Sequence, residues 1–163
     1  MVTTATRAWE VAAAVPDPEL PMLTLADLGI LAEVEQDGEA VTAWITPTYS
    51  GCPAVAEMAA DVDGRLRAAG YTDVRVRLRL DPPWSTEMIT KDGLRKLAEA
   101  GIAPPHTAAG PGLLQLGPTR RLVACPRCGS ADTEELSRFG STACKALWRC
   151  RACREPFDRI KEI

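Results

Sequence analysis

Two cysteine pairs near the C-terminus, Cys125-Pro126-Arg127-Cys128 and Cys150-Arg151-Ala152-Cys153, are separated by twenty-one residues, and they constrain this chain more than any other feature. Each Cys-x-x-Cys turn aims two thiolates at one point, and the residues between the turns suffice for the strands that bring one turn beside the other. The spacing predicts a zinc ribbon with Cys125, Cys128, Cys150 and Cys153 as tetrahedral ligands. The competing reading, a pair of disulfides or two redox motifs, needs an oxidising compartment, and nothing else in the chain points to one. Four thiolates fill the coordination sphere, so the expected zinc is structural, with no position left for water or substrate. Cys144 is a fifth thiol nearby, but it lies outside a Cys-x-x-Cys turn, and a small buried side chain is the expectation for it.

The predicted ribbon, residues 121–163, is too short to bury a self-sufficient apolar core. Metal has to supply the difference. Structural zinc binds finger peptides with about 10–16 kcal/mol, so the module is expected to unfold when stripped of metal. Phe139, Trp148 and Phe157 are its expected core.

Charge divides the chain at a Pro/Gly-rich stretch read as a linker, residues 101–120. Residues 1–100 carry nine Lys/Arg against sixteen Asp/Glu, a net of −7, whereas residues 121–163 carry nine against six, a net of +3. The ribbon arginines Arg127, Arg149, Arg151 and Arg154 lie beside the ligands and suit phosphate. A net of +3, however, is far from the footprint of a dedicated nucleic-acid binder, so a docking surface for an acidic protein partner is the better reading. No basic segment followed by an apolar stretch opens the chain, and no run of about twenty apolar residues spans a membrane; a cytoplasmic protein without membrane association is expected.

Residues 1–100 read as an α+β domain, a small sheet with helices packed on one face, preceding the ribbon. A short Ala-rich helix covers Arg7 to Val15, ended by Pro16. Strands follow at Ile30 to Glu35 and Ala40 to Thr46, joined through Asp37-Gly38, a strong hairpin signal. Val55, Met58, Ala59, Val62, Leu66 and Ala69 recur at helical spacing between Pro53 and Gly70. Val74, Val76, Leu78 and Leu80 alternate with Arg75, Arg77 and Arg79, which predicts a half-buried strand with arginines on its open face. A last helix is predicted from Ser85, as N-cap, to Ala100, ended by Gly101.

Cys52 is the chemically pointed residue of this domain. With Pro53 suited to the first helical position, Cys52 is the predicted N-cap, where backbone N–H groups and the helix dipole favour thiolate. A soft ligand or nucleophile is one reading; a buried, inert thiol is the other, and both stand at this point. Asp17 and Glu19, and the segment Asp81-Pro82-Pro83-Trp84-Ser85, sit at the edges of predicted elements, where carboxylates serve as hard-metal ligands or as turn formers. His106 is the single histidine and lies in the linker. A Cys-His pair, a phosphate-cradling Gly loop and a GxSxG elbow are all missing, so no catalytic residues are assigned.

Taken together, Asp17-Pro18-Glu19-Leu20-Pro21, Thr46 to Pro53 with its Gly51-Cys52-Pro53, and Pro82-Pro83-Trp84-Ser85 followed by Met88-Ile89 resemble the small domain of iron-sulfur assembly factors. With the Cys-Pro-Arg-Cys-Gly ribbon and Phe139-Gly140-Ser141-Thr142-Ala143-Cys144-Lys145, the whole chain resembles the D proteins of bacterial phenylacetate degradation, which accompany the multicomponent phenylacetyl-CoA epoxidase. The resemblance implies an accessory protein rather than the oxygenase. It ties Cys52 to transient iron or an iron-sulfur cluster, with Asp17, Glu19, Thr48, Ser50, Trp84 and Ser85 as supporting loop residues, and oxygenase or reductase subunits as clients. A Glu-x-x-His helix of the di-iron type is absent, as is a flavin or nicotinamide signature, which leaves assembly or docking. One thiolate supplies too few ligands for a cluster, and a homodimer is one way to complete them. The alternative is a structural adaptor that stabilises the oxygenase complex through the ribbon, with Cys52 inert.

Overall fold

The computed structural model describes residues 7–49, 51–105 and 122–163; Ser50, His106 and most of the predicted linker lie outside the described residues. The chain divides into two compact units, Met1–Gly93 and Leu94–Ile163.

Helix α1 (Arg7–Ala13) opens the first unit, followed by the hairpin β1 (Leu31–Asp37) and β2 (Ala40–Ile45). Asp37 pairs with Ala40, so Gly38 and Glu39 form the turn, with Gly38 at φ 61 supplying the left-handed backbone that the Asp-Gly signal predicts. Helix α2 (Ala54–Ala68) then crosses over to β3 (Asp73–Leu78), which pairs parallel to β2 and gives the sheet order β1-β2-β3. Such a parallel pair needs the helical crossover that α2 provides. Ala54, Met58, Val62 and Leu66 form the buried stripe of α2, and Val41, Ala43 and Ile45 are the buried positions of β2. Each large side chain on that stripe contributes roughly 1.5–3 kcal/mol by leaving water.

A bulge between Leu31 and Glu33 shifts the register of β1. Without it, Leu31 and Glu33 would share a face. With it, Leu31 is buried opposite Ile45 while Glu33 pairs with half-buried Trp44 on the other side.

The segment predicted as one helix from Ser85 to Ala100 is two elements. A 3-10 turn covers Thr86–Met88, Ile89 is extended at φ −65 and ψ 127, and α3 runs over Lys91–Glu99. The break has a local cause: the Thr90 hydroxyl accepts the Gly93 N–H at 3.0 Å and starts a new helix, while the Thr90 N–H donates to the Asp27 carbonyl at 2.8 Å. The close approach depends on glycine. A Cβ at Gly29, which has φ +67, would lie 2.4 Å from the Met88 carbonyl oxygen, and one at Gly93 would lie 2.6 Å from the Asp27 carbonyl oxygen. At its other end α3 closes as predicted, with Gly101 at φ 77 and the Ile102 N–H donating to Leu97.

In the second unit β4 (Thr133–Ser137), β5 (Lys145–Cys150) and β6 (Pro156–Ile160) form an antiparallel sheet in that order. Its core is small, comprising Ala103, Val123, Cys125, Ala146, Trp148, Cys150 and Phe157. Ala103 belongs to it by hydrogen bonds as well: its N–H donates to Asp158 at 2.8 Å and its carbonyl accepts from Ile160 at 3.0 Å. Two of the three expected core aromatics are there. Phe139 is not; it is 77% exposed on the β4–β5 connection, where the Lys161 ammonium lies 4.9 Å from its ring. A strand ending at Ser137 carries Phe139 beyond the sheet and away from the core face. Among the described residues, no helix is long and apolar enough to cross a membrane.

Candidate metal centre

Two knuckles of the same geometry present the ribbon sulfurs. The Cys125 N–H donates to the Ser130 carbonyl at 2.9 Å and the Cys150 N–H to that of Glu155 at 3.0 Å, five residues on in each case. The residue after the second cysteine is left-handed in both, Gly129 at φ 75 and Arg154 at φ 65. Glycine takes that conformation freely, whereas an L side chain costs about 1–2 kcal/mol there.

The four sulfurs all lie within 4.8 Å of one another, with Cys125 and Cys153 3.8 Å apart and Cys128 and Cys150 3.6 Å apart. A tetrahedron built on Zn–S bonds of about 2.3 Å has edges of about 3.8 Å, so both the donor set and its spacing fit zinc. Cys125 and Cys150 are buried and Cys128 and Cys153 exposed, which places the cluster at the rim of the small core. The Cys153 N–H, 3.5 Å from the Cys150 sulfur, draws the Cys150 pKa down to about 7 against the desolvation that raises it. Cys153 is pushed up to about 11; the Glu155 N–H lowers it, but burial and the neighbouring sulfurs outweigh that. Cys144 lies outside the cluster. It is half-buried rather than buried, with its sulfur 3.0 Å from the Thr142 hydroxyl.

Glu134 governs the charge beside the second knuckle. It accepts from Arg151 at 2.7 Å and from Arg149 Nε at 3.0 Å, and these two guanidiniums, Arg151 first, hold its carboxyl below the usual range. Two of the four arginines expected to flank the ligands are therefore occupied by a carboxylate, while Arg127 and Arg154 are exposed. Glu134 went unrecognised in the sequence because its role appears only when β4 and β5 are in register, with Glu134 opposite Arg149.

Cys52 lies in the first unit, 7% exposed, with its carbonyl accepting the Val55 N–H at 3.2 Å. Helix α2 runs from Ala54 with Pro53 as the cap residue, and no side chain caps it. Pro53 is already helical at φ −64 and ψ −25, so Cys52 lies one position outside that cap and directly before the first residue with helical dihedrals. Since β2 and β3 are parallel and end together at the Ile45–Leu78 pair, the Cys52 loop and the segment leading to Trp84 leave the sheet at the same end.

The proposed supporting residues hold backbone more visibly than they gather around the thiol. Asp17 is buried, and its Oδ1 accepts the Glu19 N–H at 2.9 Å and the Leu20 N–H at 2.8 Å, an Asx-type turn. Trp84 is buried and donates from Nε1 to the Leu28 carbonyl at 2.8 Å. Glu19, Thr48 and Ser85 are half-buried, and Ser50 lies outside the described residues. Among the described residues, the one group of three or more Cys, His, Asp or Glu side chains close enough to share a metal is the ribbon cluster. Cys52 is not in it.

Comparison with known proteins agrees with this division. The family described as PaaD zinc beta ribbon domain matches residues 111–161, and the family described as iron-sulfur cluster assembly protein matches residues 8–78. A curated protein of Escherichia coli (strain K12), assigned as the D component of 1,2-phenylacetyl-CoA epoxidase, is 46% identical over 157 residues, covering 95% of this chain and 91% of the relative. Among solved structures, a domain of unknown function (DUF59) from Bacillus anthracis superposes with a TM-score of 0.53 at 26% identity, covering 57% of this chain and 90% of that one. A conserved hypothetical protein from Thermotoga maritima gives a TM-score of 0.47 at 26% identity over 60% of this chain and 98% of its own.

Proposed function

This chain belongs to the family of the 1,2-phenylacetyl-CoA epoxidase D component, and on that premise we propose that it is an accessory protein of a multicomponent phenylacetyl-CoA epoxidase, maturing or delivering the iron or iron-sulfur centre of the oxygenase or its reductase through Cys52. The observation that carries this reading is the position of Cys52. It is a thiol in the segment matched to iron-sulfur assembly proteins, in the loop that follows the first of two parallel strands. Ligands in open sheets with parallel strands commonly bind outside the carboxyl ends of those strands.

A single thiolate holds a cluster only with help. The remaining ligands come from the client or from a second copy, which suits a carrier that must let go. The ribbon has a different task. Its four sulfurs close the zinc shell, so it contributes a fold and a docking surface for the client rather than chemistry. The chain acts in the cytoplasm, with the oxygenase and reductase, and contributes no catalytic residue of its own.

One observation favours a second reading. Cys52 is buried, and among the described residues it belongs to no group of three or more side chains able to share a metal, as expected of an adaptor whose Cys52 is inert. Co-expression of the epoxidase components with wild type or Cys52→Ser separates the two. The carrier reading predicts normal folding and complex formation with an iron-poor client. Full iron loading of the client alongside Cys52→Ser would leave the adaptor.

A further inference from the structure

We propose that the sheet face of the first unit opposite its helices is a self-complementary interface for a second copy of this chain, with the two-fold axis running along β2. Val41, Ala43 and Ile45 of β2 are buried, so Thr42 and Trp44 lie on the other face. Directly paired residues share a face. Glu33 and Glu35 pair with Trp44 and Thr42 on the β1 side, and Asp37 continues their row opposite Ala40. On the β3 side, Arg77 and Arg75 pair with the same Trp44 and Thr42, Arg79 follows, its N–H bonded to Ile45 at 2.9 Å, and Asp73 closes the row opposite Ala40. The face therefore carries a row of carboxylates and a row of guanidiniums about 10 Å apart, with an indole between them.

The chain satisfies this face only in part. Arg79 reaches Glu33 at 2.5 Å, and Arg75 pairs with Asp73 at 3.1 Å. Arg77 and Arg79 lie 5.6 and 5.2 Å from the Trp44 ring centroid. Among the described residues Glu35, Asp37 and Arg77 form no ion pair, and Trp44 Nε1 is shielded from water without a hydrogen-bond partner.

The arrangement of charge selects the occupant. A partner of one sign would match one row and repel the other. A second copy related by an axis along β2 exchanges left for right while preserving height along the strands. At the Trp44 and Thr42 levels each carboxylate row then faces a guanidinium row, Glu33 level with Arg77 and Glu35 level with Arg75, with Trp44 facing Trp44, while at the Ala40 end Asp37 meets Asp73, the one like-charged level. An axis across the strands would instead set like charges against each other. The same symmetry leaves both Cys52 loops at one end of the pair. The inference deepens the second-copy part of the function proposed above and rests on that reading for its purpose. The face is small: three strands about 4.8 Å apart, six residues long at about 3.3 Å each, give roughly 300 Å² per copy. Standard interfaces bury about 800 Å² per partner, so the association is weak and depends on salt.

Sedimentation velocity on the full-length, zinc-loaded, iron-free protein tests this across a concentration series at about 10 mM and about 1 M salt, where Debye lengths are about 30 and 3 Å. Wild type should dimerise with concentration at low salt and lose the dimer at high salt. The double variants Arg75→Glu/Arg77→Glu and Glu33→Lys/Glu35→Lys should each weaken self-association at least tenfold, and mixing them should restore a heterodimer. A wild type that stays monomeric at low salt overturns the proposal. So does a dimer indifferent to salt and to both charge reversals, or a mixture of two folded variants that fails to pair. Should one variant misfold by circular dichroism, the salt response of wild type and the other variant still decide. Because no iron is present, dimerisation without later iron loading counts against the Cys52 reading alone, and iron loading by a strictly monomeric chain counts against this inference alone.

Discussion

In the ribbon, four sulfurs from one chain lie within 4.8 Å of one another on two knuckles of the same geometry, whereas Cys52 is a single thiol in the loop ahead of α2. The first arrangement completes a metal site from within and leaves nothing to exchange. The second, on the proposed carrier reading, supplies one ligand and needs others from outside. The contrast extends to what holds each unit together: a buried stripe on α2 against a sheet in the first, and a seven-residue core in the second. On the proposed reading, the structural metal is enclosed by its own chain and the cargo metal is left short of ligands.

Removing zinc should produce the largest difference between the two units. Metal binding in such sites supplies about 10–16 kcal/mol, more than a module of this size retains from burial. Chelation, or Cys125→Ser, should therefore unfold β4 to β6 while leaving the sheet of the first unit intact, as read by amide exchange along the chain. Loss of both units together would mean that the first does not stand on its own core. The reciprocal experiment is Leu66→Ala, which empties a fully buried position of α2 and should cost about 2–5 kcal/mol. Zinc content should stay unchanged in that variant, and loss of zinc would break the comparison from the other side.

These effects bear on how far the sequence could be read. The ribbon was legible because its ligands are covalently spaced in two Cys-x-x-Cys turns, a signal that survives without knowledge of packing. The β1–β2 hairpin and β3 were legible for a similar reason, through Asp37-Gly38 and the Val74-to-Leu80 alternation, but β3 ends at Leu78, and Leu78 and Leu80, expected on the buried face, are exposed. Features that depend on a neighbour's position were not. Gly29 and Gly93 look like ordinary glycines until Met88 and Asp27 are placed against them. Thr90 splits the predicted helix by capping Gly93, a choice its local periodicity does not announce. Val15, Leu20, Leu23, Leu25 and Leu28 are buried in the irregular segment before β1, with no period to reveal them. For the site, Cys52 was identified from its residue type and place, directly ahead of the helical dihedrals that begin at Pro53. Asp17 offered two readings, a ligand or a turn former, and its carboxylate holds a turn.

Smaller changes sharpen the likeness between the knuckles. Gly129→Ala should destabilise the ribbon by about 1–2 kcal/mol by forcing a side chain into the left-handed region, and Arg154→Gly should relieve a strain of similar size. Thermal unfolding of the zinc-loaded protein would measure both, and equal responses of the same sign would contradict the equivalence.

The smallest expected effect is at Glu134. Its carboxyl pKa is lowered in the fold by Arg151 and Arg149, so its contribution is present above the ordinary glutamate pKa and disappears as pH falls through the lowered value. The denaturant-unfolding stabilities of wild type and Glu134→Gln, measured across a pH series, should converge at low pH and separate slightly above it, with wild type the more stable. Wild type being the less stable above that range would reverse the sign.

The central claim is that the two kinds of cysteine handle metal differently, and metal analysis of anaerobically purified wild type and Cys52→Ser, with absorption spectra, tests it most directly. The account predicts one zinc per chain in both proteins, with iron and sulfide in wild type alone. Iron and sulfide retained in full by Cys52→Ser, or zinc lost from it, would contradict the division between a closed structural site and an open carrier.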